Sequence, residues 1–175
     1  MPIPPCSRYI NLLTELYASG LAITDIDLSS NTQLTIVSLL NEHLTAITTS
    51  SLPELKGIVY VEKTDSQTGM ILSTAQTTAS WNSAKTWCSN YGQGWYLPSL
   101  DELKVIYNNK DKMNFLLSNL GCTTLGTGWY WSSSEWYEYS SNSYYTYKLD
   151  FSSGDSNRTR FDKGDNLNVC AILAF

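Results

Sequence analysis

The chain has 175 residues, with 16 Asp and Glu against 11 Lys and Arg and a formal net charge of −5. That length holds one domain with a sizeable core and room for a small appendage, and the acidic balance argues against a partner bound through phosphates, so nucleic acid is not an expected ligand. No apolar run approaches the roughly 20 residues that span a bilayer, and the start, MPIPPCSRYINLL, lacks a charged segment followed by an uninterrupted apolar one. A soluble chain with no visible export signal is the expectation.

In chain order, YINLLTELYA (9–18) places Ile10, Leu13 and Tyr17 on one face and predicts a short amphipathic helix ended by Gly20. Ile23, Ile26, Leu28, Asn31 and Leu34 then resemble one turn of a leucine-rich repeat. Leu34, Val37 and Leu39, then Leu44 and Ile47, echo it at a spacing of roughly 10 to 11 residues, as stacked solenoid turns would. Three origins stay open for this degenerate echo: the end of a longer solenoid, a cap on the next domain, or chance alternation. Pro53 and Gly57 bracket a boundary, giving an N-terminal helix plus degenerate leucine-rich-like segment over 1–56 and a second domain over 57–175.

Gly57 to Lys63 and Met70 to Ser73 read as a hairpin. WNSAKTWCSNY, from Trp81, puts Trp81, Ala84 and Cys88 on one helical face. In LPSLDEL, Ser99 followed by Glu102 is a capping box, which accounts for Asp101 and Glu102 without catalysis. A third helix is expected around Met113 to Leu120. Alternation puts Tyr145, Tyr147, Leu149 and Phe151 on one strand face and Thr146, Lys148 and Asp150 on the other. The closing run Val169 to Phe175 reads as a buried central strand.

Composition changes at the C-terminal end. The chain holds 6 Trp, 12 Tyr and 4 Phe, and half of them lie between Trp129 and Phe161, mixed with Ser, Asn and Asp rather than Leu and Ile. That mixture suits an antibody-like paratope and equally a Tyr-rich sheet. Arg158 and Arg160 would give the run local positive potential able to meet a carboxylate or an anionic sugar, or would be solvated loop charges. Cys6, Cys88, Cys122 and Cys170 are dispersed without a CxxC pair, so no metal site is expected, and three disulfide pairings stay open.

Trp81, Ala84 and Cys88, then GWYLPSLDEL, then YWSSSE, then LDFSSG, then VCAILAF follow one another in an order similar to that of the C-terminal domain of collagen-like bacterial adhesins. Over about residues 57 to 175 the chain most resembles the variable proteins of diversity-generating retroelements. The resemblance implies an α+β, C-type lectin-like fold: two to three short helices around a small twisted antiparallel sheet with long loops. It also implies adenine-directed mutagenesis of Asn-type codons, with a variable region over about 130–170. From Tyr139 to Asn168 only Lys148 and Lys163 fall outside the residues such codons can reach, so they would be fixed positions, as would Trp136 and Glu138 just upstream. In related domains that carry a disulfide, the second cysteine lies one residue after the position of Cys170. The offset implies that Cys170 points away from Cys88.

The resulting expectation is a non-enzymatic, receptor-binding or adhesin module without a cofactor. Its ligand-binding residues are Tyr137, Tyr139, Tyr144, Tyr145, Asn157, Arg158, Arg160, Phe161, Asp162, Asp165, Asn166 and Asn168. Its partner would be a protein or glycan on a target cell, and its place a virion tail or a bacterial surface. Two alternatives are a calcium-assisted lectin using Asp150, Asp155, Asp162 and Asp165, and a non-diversified surface adhesin domain. The formylglycine-generating enzymes share the implied fold class. The only histidine, His43, lies in the N-terminal segment, which removes a Ser-His or Cys-His dyad from the main domain.

Overall fold

The computed structural model describes residues 13–40, 43–159 and 162–175. They form three helices and a large, mostly β, sheet. The eight-stranded sheet has the order β1 (Glu15–Tyr17), β3 (Ile36–Ser38), β5 (Gly57–Val61), β6 (Met70–Ala79), β10 (Leu167–Ala174), β7 (Trp129–Glu138), β8 (Ser143–Asp150) and β9 (Ser156–Thr159). A second sheet pairs β2 (Asp25–Asp27) with β4 (Ala46–Thr48). The large sheet is mixed rather than small and antiparallel: β1, β3 and β5 run parallel, and β10 meets β7 in parallel.

The N-terminal strands explain the leucine-rich echo. Leu16 pairs with Val37 and Val37 with Ile58, while Ile26 pairs with Ile47 on the other side. Equivalent residues are 21 positions apart, as are Thr35 Oγ1 and the Thr14 carbonyl to which it donates at 2.8 Å. The spacing of 10 to 11 residues is half a coil: alternate strands fall on opposite walls. Residues 15–17 are therefore a strand and not the end of the expected helix, because Leu16 stacks on the next rungs instead of closing a helical turn; the rest of that helix lies largely outside the described residues.

The coil does not end at the sequence boundary. β5 is its last rung and also the partner of β6. Accordingly Leu34, Val37, Leu39 and Ile58 share one apolar cluster with Met113, Leu116 and Leu117 of α3 (Lys110–Asn119) and Leu103 and Ile106 of α2 (Leu100–Asn108). The opposite face of the sheet is covered by α1 (Trp81–Tyr91), which buries Trp81, Ala84 and Cys88 against Val59, Ile71, Trp131, Val169 and Ala171. The buried indoles keep their hydrogen bonds: Trp81 donates to the Ser132 carbonyl at 2.8 Å and Trp131 to the Ala79 carbonyl at 2.9 Å.

β10 lies at the centre of this two-sided core, which is why its sequence is continuously apolar rather than alternating. Cys170 faces the α2 and α3 side and Cys88 the α1 side, so the two thiols are not joined; the Cys88 thiol instead points at the Cys170 carbonyl, 3.6 Å away. Cys88, Cys122 and Cys170 are free thiols, and Cys6 lies outside the described residues.

Candidate binding surface

Strands β7, β8 and β9 form an antiparallel meander at the end of the sheet remote from the coil. The sequence suggested long loops here, but the β7–β8 connection is a tight turn over 139–142, with Asn142 in the left-handed region at φ 47°. The β8–β9 turn has Gly154 at φ 83°, where any side chain would also strike the Tyr107 ring.

The serines of YWSSSE build the base of the meander. The β7–β8 register shifts between Trp131 and Glu135, and the displaced residues reach out to the neighbouring elements. Ser132 donates to the Tyr147 carbonyl at 3.0 Å, the Ser133 N–H donates to the Pro98 carbonyl at 2.8 Å, and Ser134 Oγ accepts from the Leu100 N–H at 2.9 Å. The predicted capping box is formed at the same helix start: the Glu102 carboxylate accepts from the Ser99 N–H at 2.7 Å and Ser99 Oγ from the Glu102 N–H at 3.3 Å. Two of the sequence motifs thus hold one corner together.

Register divides the expected site residues between two faces. Tyr137 lies opposite Tyr144, and its ring centre is 4.8 Å from those of both Tyr139 and Tyr144. The Tyr137 hydroxyl donates to Asn142. Tyr139 is 87% exposed and Tyr144 59%. The other face carries Trp136 opposite Tyr145 and Arg158 opposite Tyr147, with the Arg158 guanidinium carbon 5.5 Å from the centre of the Trp136 ring. Tyr145 and Arg158 are consequently separated from the tyrosine trio by the thickness of the sheet.

Of the remaining expected residues, Asn157 is exposed on β9, and its side chain accepts from the Arg158 N–H at 2.7 Å. Asp165 and Asn166 are exposed in the segment before β10. Asn168 is half-buried and donates to the Thr127 and Trp129 carbonyls at 3.2 and 3.3 Å, which gives it a structural duty. Arg160 and Phe161 lie outside the described residues, and for Asp162 only the backbone is described, in the 3-10 turn Asp162–Gly164. Trp136, Tyr147 and Glu135 were not among the expected binding residues; the strand alternation that placed Tyr145 and Tyr147 together would have found Trp136 once the β7–β8 register was known.

The two lysines outside the codon-reachable set are both pinned. Lys163 Nζ lies 4.6 Å from the centre of the Trp81 ring and 3.6 Å from a Glu135 oxygen, holding the 3-10 turn over the α1 side of the meander. That places Asp165 and Asn166 on the side of the sheet that carries Tyr137, Tyr139 and Tyr144. Lys148 lies 4.9 Å from the Trp129 ring centre.

The buried titratable groups belong to the core rather than to this surface. Burial pushes the Cys88 thiol up to about 12 and raises Cys122 and Cys170 as well, so the thiolates needed for nucleophilic chemistry are disfavoured. Burial likewise raises Tyr60 and Tyr130. His43 is exposed, far in sequence from the meander. Asp150 and Asp155 sit together in the β8–β9 turn, where Ser153 donates to Asp155 at 2.9 Å. Among the described residues no three His, Cys, Asp or Glu side chains gather to hold an ion, and no helix is long and apolar enough to cross a membrane. No protein-family model matches the chain, and no curated protein matches it.

Proposed function

We propose that the chain is a receptor-binding module: a C-type lectin-like scaffold over about residues 57–175 that displays a diversified surface to a protein or glycan on a target cell. It acts from a virion tail or a bacterial surface and carries out no catalysis. The helix α1 after the first hairpin, the Ser-rich corner and the closing strand β10 occur in the order that the lectin-like motifs imply, which supports the scaffold assignment.

One observation carries the reading. Between Tyr139 and Asn168 the exposed described positions are Tyr, Ser, Asn, Asp, Arg and Gly, all reachable by rewriting Asn codons. The two residues that such rewriting cannot make, Lys148 and Lys163, are those held against Trp129 and Trp81. A surface allowed to vary and anchors that are not would produce this division. Exposed tyrosines give rigid contact area at low entropic cost, and the exposed Asp165 and Asn166 give adaptable polar contacts.

The test is on the gene. Sequencing its 3′ end in sibling clones should show substitutions at adenines within the codons for about Tyr137 to Asn168, with Lys148, Lys163 and Trp136 unchanged, and a near-identical template repeat nearby. An invariant 3′ end without such a repeat would remove the diversified reading.

A further inference from the structure

We propose that the face formed by Trp136, Tyr145, Tyr147 and Arg158 binds an acidic sugar, a glycan residue bearing a carboxylate. The inference rests on the reading of the meander as a ligand-binding surface and adds to it a second site, with its own chemistry, on the side opposite the tyrosine trio.

Residues directly opposite in an antiparallel pair project from the same side of a sheet. Trp136 with Tyr145, and Tyr147 with Arg158, therefore make one patch across three strands. Helix α2 covers the far end of this face, where Tyr107 meets Phe151 edge-on at 5.7 Å, and leaves the near end open: Trp136 is 45% exposed. The Arg158 guanidinium carbon stands 5.5 Å from the centre of the indole, a cation–π contact that consumes none of the N–H donors. Among the described residues no carboxylate pairs with it. A fork of N–H donors beside an open indole suits a carboxylate attached to a flat ring with C–H faces.

Glu138 decides between a sugar and an acidic peptide. It lies two residues from Trp136 on the same face, its carboxylate accepting from Ser140 at 3.0 Å. With a net charge of −5 behind it, this face repels a run of carboxylates. A single carboxylate among neutral hydroxyls meets Arg158 at a smaller penalty than a run of them, and Glu138 and the tyrosine hydroxyls are partners for the sugar hydroxyls.

The purified chain would be titrated with sialyllactose, with glucuronic acid and with lactose as the neutral control, following saturation transfer to the sugar protons by NMR. The acidic sugars should bind about tenfold or more tightly than lactose, the increment expected of a charge-assisted pair. Arg158→Lys keeps the charge but loses the fork and should weaken the acidic sugars about tenfold; Trp136→Ala, checked for an unchanged thermal transition, should abolish transfer. Asp65→Asn, exposed in the β5–β6 connection away from the meander, should change nothing. Equal binding of lactose, indifference to Arg158→Lys, or binding of a polyglutamate peptide but not of the sugars would overturn the site. Failure here with a variable 3′ end leaves the display reading standing, whereas an invariant 3′ end with acidic-sugar binding intact removes that reading and leaves this site.

Discussion

The ammonium of Lys163 stands 4.6 Å from the centre of the Trp81 ring, which Lys85 also approaches, at 3.4 Å. A residue of the segment before β10 is thereby tied to the first turn of α1, and the ion pair with Glu135 adds a second tie to β7. A partly buried cation–π contact contributes about 1 kcal/mol and a half-exposed ion pair about 0.5 kcal/mol. Lys163→Ala should therefore lower stability by about 1 to 2 kcal/mol in urea denaturation and raise hydrogen exchange over residues 162–167. Lys163→Arg should restore most of both. Equal exchange in wild type and Lys163→Ala would show that the segment is held by something else.

Display requires that surface tyrosines be exchangeable while core tyrosines are not. Tyr139 is 87% exposed, whereas Tyr130 is buried, stacked on Phe151 at 4.1 Å and donating to Gln76 at 3.0 Å. Tyr139→Ser should change stability by no more than about 0.5 kcal/mol. Tyr130→Ser removes a core aromatic and should cost about 3 to 5 kcal/mol. Paired thermal melts measure the contrast; a comparable loss from both would mean that the trio Tyr137, Tyr139 and Tyr144 is structural.

Much of this architecture was legible where the signal is local. The face of α1 through Trp81, Ala84 and Cys88, the Ser99–Glu102 capping box and the alternation of Tyr145 and Tyr147 depend on residues a few positions apart, and they occur as expected. Long-range pairing was not legible. Residues 15–17 carry helical spacing, but their conformation is set by a rung 21 residues away, and sheet pairing overrides local propensity. Register also divides the candidate surface: composition gathers Tyr137, Tyr144, Tyr145 and Arg158 into one segment, while the β7–β8 and β8–β9 pairings place them on opposite faces.

The corner where Ser99 and Ser134 both serve the start of α2 gives a third prediction. Ser99→Ala loses the cap on the Glu102 N–H and should cost about 1 kcal/mol. Ser134→Ala leaves the Leu100 N–H without its partner and should cost about 1 to 2 kcal/mol. Because the two acceptors serve neighbouring donors in one turn, the double variant should depart from additivity in a double-mutant cycle. Strict additivity would show that the corner does not act as a unit.

Stability should fall on the alkaline side. Below the ordinary thiol value of 9.0 Cys88 is protonated whether the chain is folded or not; above it the unfolded chain releases the proton, while the buried thiol holds it up to about 12. The unfolded state then binds fewer protons, so the unfolding free energy declines with rising pH through this window. Cys170, Tyr60 and Tyr130, also raised by burial, contribute with the same sign. Urea midpoints at about pH 8, 9.5 and 10.5 should decrease in that order, with a shallower slope in Cys88→Ala. A flat profile would contradict it.

The coil should unfold together with the rest of the sheet. Leu34 and Val37 share one apolar cluster with Leu116 and Leu117, and the sheet runs unbroken from β3 through β5 to β6. A separately folding N-terminal unit would need its own core, and its buried leucines instead pack into the common one. Leu34→Ala should cost about 3 kcal/mol and shift the near-ultraviolet signal of the distant tryptophans along with the far-ultraviolet signal, in a single transition. Truncation before Gly57 would expose Ile58 and Leu55's neighbours at the β5 edge, so residues 57–175 alone should be markedly destabilised or aggregate. If the tryptophan transition stays in place while the far-ultraviolet one splits, the coil is an independent unit and the shared cluster does not couple the two.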